Sequence, residues 1–195
     1  MTKVTLTLEL PSWLVRLSVW LVLLYRRARY GYAFRRIALT QGRFAVVDPA
    51  DYENLRRHKW RLCKSKSKNV LYAERSIRRS DGTYSRILMH RQLIQPPGGY
   101  VIDHVNGCGL DNRRANLRLA TAAQNAWNAG KRSGGSGYKG VWLAKQKGLW
   151  RASIVCCGRR KHLGYFRDKR DAANAYDRAA RQYHGEFALL NFPKG

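Results

Sequence analysis

The chain has 195 residues, room for about one or two compact domains, and carries 38 lysines and arginines against 12 acidic residues, a formal charge of +26. A surplus that large makes a compact fold repel itself unless a polyanion is near. Nucleic acid is therefore the leading partner and an anionic membrane the second, and an acidic small molecule alone is excluded as the reason for the charge. Apolar residues make up 45% and aromatics 11% of the chain, which excludes a wholly disordered basic tail.

In chain order, residues 12–25 (SWLVRLSVWLVLLY) are apolar except for Ser12, Arg16 and Ser18, and run into RRARYGYAFRR, where five arginines alternate with aromatics. The run is too short to cross a bilayer comfortably and is broken by Arg16. Its charge follows the apolar stretch, the reverse of a secretory signal. The expectation is a basic amphipathic segment over residues 1–36, with a helix that packs on the rest of the protein and arginines near DNA phosphates. Membrane-surface attachment is the second reading.

From residue 37 to 97 short β-prone runs follow: GRFAVVD, HKWRLCK, NVLYAERSI and TYSRILMHRQLI. Asp48-Pro49 opens a short helical stretch between the first two. The loop KSKSK and the turn Ser80-Asp81-Gly82 punctuate the others, which predicts a small antiparallel sheet. Gln95-Pro96-Pro97-Gly98-Gly99 then breaks the chain.

Residues 100–129 read YVIDHVNGCGLDNRRANLRLATAAQNAWNA. Val101-Ile102 forms a strand that delivers Asp103 and His104, which point to opposite faces because successive strand residues alternate. A turn-rich loop leads to a second strand, Leu117-Arg118-Leu119, and Thr121 caps a helix from Ala122 to Ala129. Asn106, Asn112 and Asn128 are read as turn or helix-surface residues.

KRSGGSG, residues 131–137, predicts a flexible tether. It divides a basic unit over residues 37–130 from a second over 137–195, with the linker at 131–136. Residues 1–130 hold 23 basic and 8 acidic side chains and residues 131–195 hold 15 and 4, so both parts are basic. In the second unit YKGVWLAK, LWRASIV and RKHLGYF form three strands. Asp168 caps a helix DKRDAANAYDRAARQYH that ends at Gly185 and places Ala172, Tyr176, Ala179 and Tyr183 at helical spacing. Trp150 and Phe166 are read as core. Cys63, Cys108, Cys156 and Cys157 lack metal-knuckle spacing and are read as reduced thiols.

The segment DHVNG, LDNRRANLR and AAQNAWN, with MHRQL upstream, resembles the HNH endonucleases of the ββα-metal superfamily, in their phage and intron homing form. The resemblance implies His104 as general base, Asp103 as a ligand of a divalent metal, Asn116 as the residue that holds the loop and orients the histidine, and Asn125 as the second metal ligand. It implies magnesium or manganese and no structural zinc. Residues 137–193 resemble the Apetala-two/ethylene-response-factor DNA-binding domain through Tyr138-Lys139-Gly140-Val141, Trp150, Leu163-Gly164, Phe166, Ala175-Tyr176-Asp177 and Asn191-Phe192-Pro193.

That likeness implies a sheet whose outer face reads DNA, with Lys139, Trp142, Arg151, Ser153, Arg160 and His162 as candidate contacts; Arg91, Arg113 and Arg114 are candidates beside the catalytic motif. The expected fold class is α+β, a small antiparallel sheet leading into a ββα-metal motif, then a three-stranded antiparallel sheet packed on one helix. The expected function is a metal-dependent DNA endonuclease of homing type, nicking or cutting both strands. It would act on double-stranded DNA as a monomer or weak dimer, with no small-molecule substrate and no membrane partner expected, in a bacterial or phage cytoplasm at the nucleoid. The alternative is a DNA-binding transcriptional regulator with an inactive HNH motif.

Overall fold

A computed structural model of the chain describes residues 11–65, 70–130 and 135–193. The middle of the lysine-serine loop and residues 131–134 of the expected tether lie outside them. The elements are α1 (Ser12–Tyr30), β1 (Arg35–Ala38), β2 (Phe44–Val47), α2 (Pro49–Arg56), β3 (Arg61–Lys64), β4 (Leu71–Arg78), β5 (Tyr84–Leu88), α3 (Met89–Leu93), β6 (Tyr100–His104), β7 (Leu117–Thr121), α4 (Ala122–Asn128), β8 (Val141–Ala144), β9 (Leu149–Cys156), β10 (Arg159–Phe166) and α5 (Lys169–His184). Among the described residues these strands form four small antiparallel sheets, pairing β1 with β2, β3-β4-β5, β6 with β7, and β10-β9-β8, and the fold is α+β.

The first core lies between the β1–β2 hairpin, β3–β4, α2 and α3. Ile37, Val47, Leu55, Trp60, Ala73 and Met89 are buried together there, and Leu110 from the motif loop packs against them. Pro49 at the start of α2 suits a position whose N–H has no helical partner. Trp60 donates its indole N–H to the Leu55 carbonyl at 2.8 Å and so closes the end of that helix. The loop before β7 is sewn to β2, since Val46 N–H donates to Leu110 O and Asn112 N–H to Val46 O, both at 2.8 Å. Gly109 is required there: a Cβ would lie 2.5 Å from the Leu71 carbonyl and from the Tyr72 ring.

In the carboxy-terminal part α5 lies on the three-stranded sheet. Its alanines at 172, 173, 175, 179 and 180 are buried against Val141, Ala152 and Ile154. Trp150 and Phe166 pack on this core as the sequence predicts. Asp168 caps the helix by accepting from Arg170 N–H. Gly140 has φ +74 and sits where a Cβ would meet the Tyr176 ring at 2.0 Å, so glycine serves both the turn and the close approach.

One expectation is corrected. The amino-terminal helix forms, but none of its residues is buried, and only Val19, Leu23 and Arg26 are half-covered. Cys157 has φ +50 and lies in the turn after β9, and all four cysteines are free thiols.

Candidate active site and nucleic-acid interface

The β6–β7 hairpin and α4 build the site. Asp103 pairs with Arg118 and His104 with Leu117 across the ladder. Thr121 starts α4 with a full capping box, its hydroxyl accepting from Gln124 N–H while the Gln124 side chain accepts from Thr121 N–H. That cap fixes the angle at which Asn125 and Asn128 leave the helix, because residues three apart share a face.

Asp103 is buried and faces β7 and α4. Arg118 Nε donates to its Oδ2 at 2.9 Å, and the Asn128 amide donates to both carboxylate oxygens at 3.0 Å. The same Asn128 amide reaches the His104 carbonyl at 2.8 Å. Asn125 is half-buried one turn earlier on α4.

His104 turns the other way, into a buried group with Tyr72 of β4 and His90 of α3. Its ring centroid lies 5.0 Å from that of His90 and 5.8 Å from that of Tyr72. The His104 Nε2, the His90 Nδ1 and both ends of the Asn112 amide are buried with no hydrogen-bond partner among the described residues. Burial pushes the His104 imidazole below its ordinary pKa, while the Asn112 amide and the Asp103 and Asp111 carboxylates pull the other way. Burial pushes His90 down to about 3, helped by the charges of His104 and Arg91.

Asn116 is buried and holds the loop closed. Its Oδ1 accepts from Asn106 N–H at 3.0 Å, its amide donates to the Asp111 carbonyl at 2.8 Å, and its own carbonyl accepts from Val105 N–H at 2.9 Å. Asp111 in turn grips Arg113 through two bonds of 2.8 and 2.6 Å, with that guanidinium 3.5 Å from the centroid of the Tyr32 ring. Arg114 pairs with Asp51 and is half-exposed; Arg91 is exposed beside the motif.

The structure thus brings Asp103, Asn116 and His104 together around one hairpin, with Asn125 on the adjoining helix. It corrects the reading of two asparagines: Asn112 is fully buried and Asn128 is the principal partner of Asp103. Asn106 is an exposed turn residue as expected, and bonds Asp111 within the loop. The three-residue spacing from Asn125 to Asn128 was the local signal for the role of Asn128. The role of Arg118 depends on β-ladder register, which has no local signal.

On the carboxy-terminal sheet Arg151 and Arg160 each stand 5.4 Å from the Trp142 ring, and His162 lies against Tyr165 at 4.7 Å. Arg160, His162 and Val155 are exposed with them. Lys139 does not join this face, and Ser153 lies on it but is buried. The Lys139 ammonium is bonded to the carbonyls of Trp127 and Ala129 at the end of α4, and burial lowers its pKa to about 8. Ser153, a short side chain on the middle strand, is buried beneath longer neighbours.

These contacts join the two parts. Trp127 of α4 stacks on His184 of α5 at 4.4 Å, and Arg118 donates to the Glu186 carbonyl at 2.7 Å while lying 3.9 Å from the Phe187 ring centroid.

The family model of the HNH endonucleases matches residues 95–127, which span β6, β7 and nearly all of α4; this segment is similar to the HNH endonucleases. The protein is 37% identical to Protein 3.8 of Escherichia phage T7 over 93 residues, 47% of this chain and 76% of that protein, and the chain belongs to the family of that phage protein. It is 29% identical over 158 residues to an uncharacterized HNH endonuclease of Acanthamoeba polyphaga mimivirus, covering 81% of this chain and 80% of the relative. The AP2-like ethylene-responsive transcription factor TOE2 of Arabidopsis thaliana is 42% identical over 66 residues, 34% of this chain but 14% of the plant protein. No solved structure matches the chain.

Proposed function

We propose that the chain is a metal-dependent DNA endonuclease of homing type, with its hydrolytic centre in a unit over residues 37–130 and a DNA-reading unit over residues 137–195. The observation that carries the reading is His104, delivered at the end of β6 with a buried Nε2 that has no partner among the described residues. A buried polar atom left unsatisfied marks a place where water or substrate belongs.

Hydrolysis of a phosphodiester requires the attacking water to lose a proton while charge builds on the phosphate and the leaving oxygen. His104 is kept neutral at physiological pH by its lowered pKa, so its Nε2 can accept that proton. Asn116 holds the loop against β6 and so keeps the imidazole in place. Asp103 and Asn125 supply one carboxylate and one amide oxygen, a donor set suited to magnesium or manganese with water in the remaining positions. Among the described residues no group of three or more histidine, cysteine or acidic side chains is placed to hold a metal; the resemblance to the HNH motif is what offers these two oxygens as donors. When bound, the cation would act as a Lewis acid on the phosphate. Arg118 and Asn128 orient the Asp103 carboxylate.

Trp142, Arg151, Arg160 and His162 form the outer face that would contact DNA. The likeness to the plant transcription factor supports this assignment, and Arg91 and Arg114 extend the basic surface beside the motif. The rival reading, a DNA-binding regulator with an inactive motif, draws on the carboxylate of Asp103 already being held by Arg118 and Asn128.

Supercoiled plasmid with magnesium separates the two. The wild-type protein should convert it to open-circular or linear form, and His104→Ala should slow conversion by about a hundredfold or more. Equal cutting by the variant would overturn the assignment of His104. An uncut plasmid with every divalent metal, alongside retarded bands from both proteins, would establish the regulator instead.

A further inference from the structure

Among the described residues nothing buries the apolar surface of helix α1. Trp13, Trp20 and Leu21 are 63%, 56% and 52% exposed, and Leu14, Val15, Leu17, Val22 and Leu24 are exposed with them. At about 3.6 residues per turn, Leu17 and Leu24 lie on one side of the helix, and Val15 and Val22 lie on the opposite side. Trp13, Leu17, Trp20, Leu21 and Leu24 share the first of these sides, an exposed apolar face of the kind that lies in a membrane interface.

The charge distribution names the medium. Residues 11–36 contain six arginines and no acidic residue. Arg26, Arg27 and Arg29 gather on the last turns, where the apolar stretch ends. Two such segments would repel one another. A bilayer with anionic headgroups would take the apolar side chains into its acyl region, pair its phosphates with the arginines, and hold tryptophan and tyrosine at the boundary.

The apolar part, Ser12 to Tyr25, is about 21 Å long at 1.5 Å per residue, less than the roughly 30 Å of a hydrocarbon core. No helix among the described residues is long and apolar enough to cross a membrane. The segment therefore lies in one leaflet rather than spanning two.

We propose that α1 is a membrane-surface anchor that seats the protein on an anionic phospholipid bilayer, with Leu17, Leu21 and Leu24 in the acyl region, Trp13 and Trp20 at its boundary, and Arg27 and Arg29 at the headgroups. Because the whole chain is strongly basic, the test must separate insertion of α1 from adsorption of the body. Full-length protein is sedimented with vesicles of phosphatidylcholine and phosphatidylglycerol at three to one, and with phosphatidylcholine alone, with tryptophan emission recorded in parallel.

The wild type should sediment with the mixed vesicles, with emission shifted to the blue, and should stay largely in solution with phosphatidylcholine. The charge-neutral pair Trp20→Gln and Leu21→Gln removes apolar surface without touching the body and should lower the partition at least tenfold. The pair Arg27→Gln and Arg29→Gln should lower it about thirtyfold on the mixed vesicles. Equal sedimentation by the Trp20→Gln, Leu21→Gln protein would show that the body alone adsorbs, and would overturn the proposal. So would a wild type that ignores anionic vesicles, or one that light scattering shows to be an oligomer dispersed by the same pair of substitutions.

Discussion

Asn128 shows how much one amide can organise: it donates to both oxygens of a buried carboxylate and to the backbone of the neighbouring histidine. Its replacement by alanine leaves Asp103 to Arg118, at a cost of about 1–3 kcal/mol for the unpaired buried groups. Asn128→Ala should cut plasmid nicking by about ten- to hundredfold and raise the magnesium concentration for half-maximal rate, as loss of a group behind a metal ligand does. An unchanged magnesium dependence would show that Asn128 only supports the fold.

His90 makes a prediction of another kind. Its unfolded ring protonates near the usual 6.5 and its folded ring only at about 3, so between those values the unfolded chain binds the extra proton. The stability is complete above about pH 6.5 and falls as the pH drops toward 3. By pH 5 the loss is about 2 kcal/mol, or roughly 4–8 °C in Tm for a chain of this size. His90→Phe keeps the ring against Tyr72 and removes the titration. Its Tm should therefore change less between pH 7 and pH 5 than that of the wild type.

Among the elements, those with strong local punctuation are legible in the sequence. Asp48-Pro49 opens α2, Ser80-Asp81-Gly82 turns β4 into β5, Thr121 caps α4 and Asp168 caps α5, each by chemistry confined to a few residues. Asp103 and His104 facing opposite ways follows from strand alternation. What local chemistry could not show was long-range: that His90 and Tyr72 wall in His104, that Arg118 lies opposite Asp103, and that Lys139 turns toward the carbonyls of α4 instead of outward. The apolar run of α1 announced a helix but not its neighbour, since the same pattern serves a core, a dimer or a bilayer.

The end of α4 is where the two parts meet. Trp127 against His184, with Lys139 on the α4 carbonyls and Arg118 reaching Glu186, ties α4 to α5. Trp127→Ala removes the stack without touching Asp103 or His104. Limited trypsin digestion should then separate the two parts several times faster than in the wild type. Equal cleavage rates would mean that the stack does not hold the parts together.

For the whole molecule, a charge of +26 makes any DNA affinity a strong function of salt, because each phosphate neutralised releases a counterion and steepens the fall of log K with log salt by about 0.9. The surplus is spread over both parts, so the slope should be shared among many arginines rather than lost with one. Where those arginines sit decides which substitutions count. Arg160 is exposed beside Trp142 on the outer face of the three-stranded sheet. Ser153 lies on that face but is buried.

Binding of a short duplex to the full chain, measured in metal-free buffer at several salt concentrations, should give Arg160→Gln a slope shallower by about one and a lower affinity across sequences. Ser153→Ala should leave both unchanged. An Arg160→Gln protein with the wild-type slope would move the DNA surface off this sheet. The basic flank of the catalytic motif, around Arg91 and Arg114, would then carry the contact.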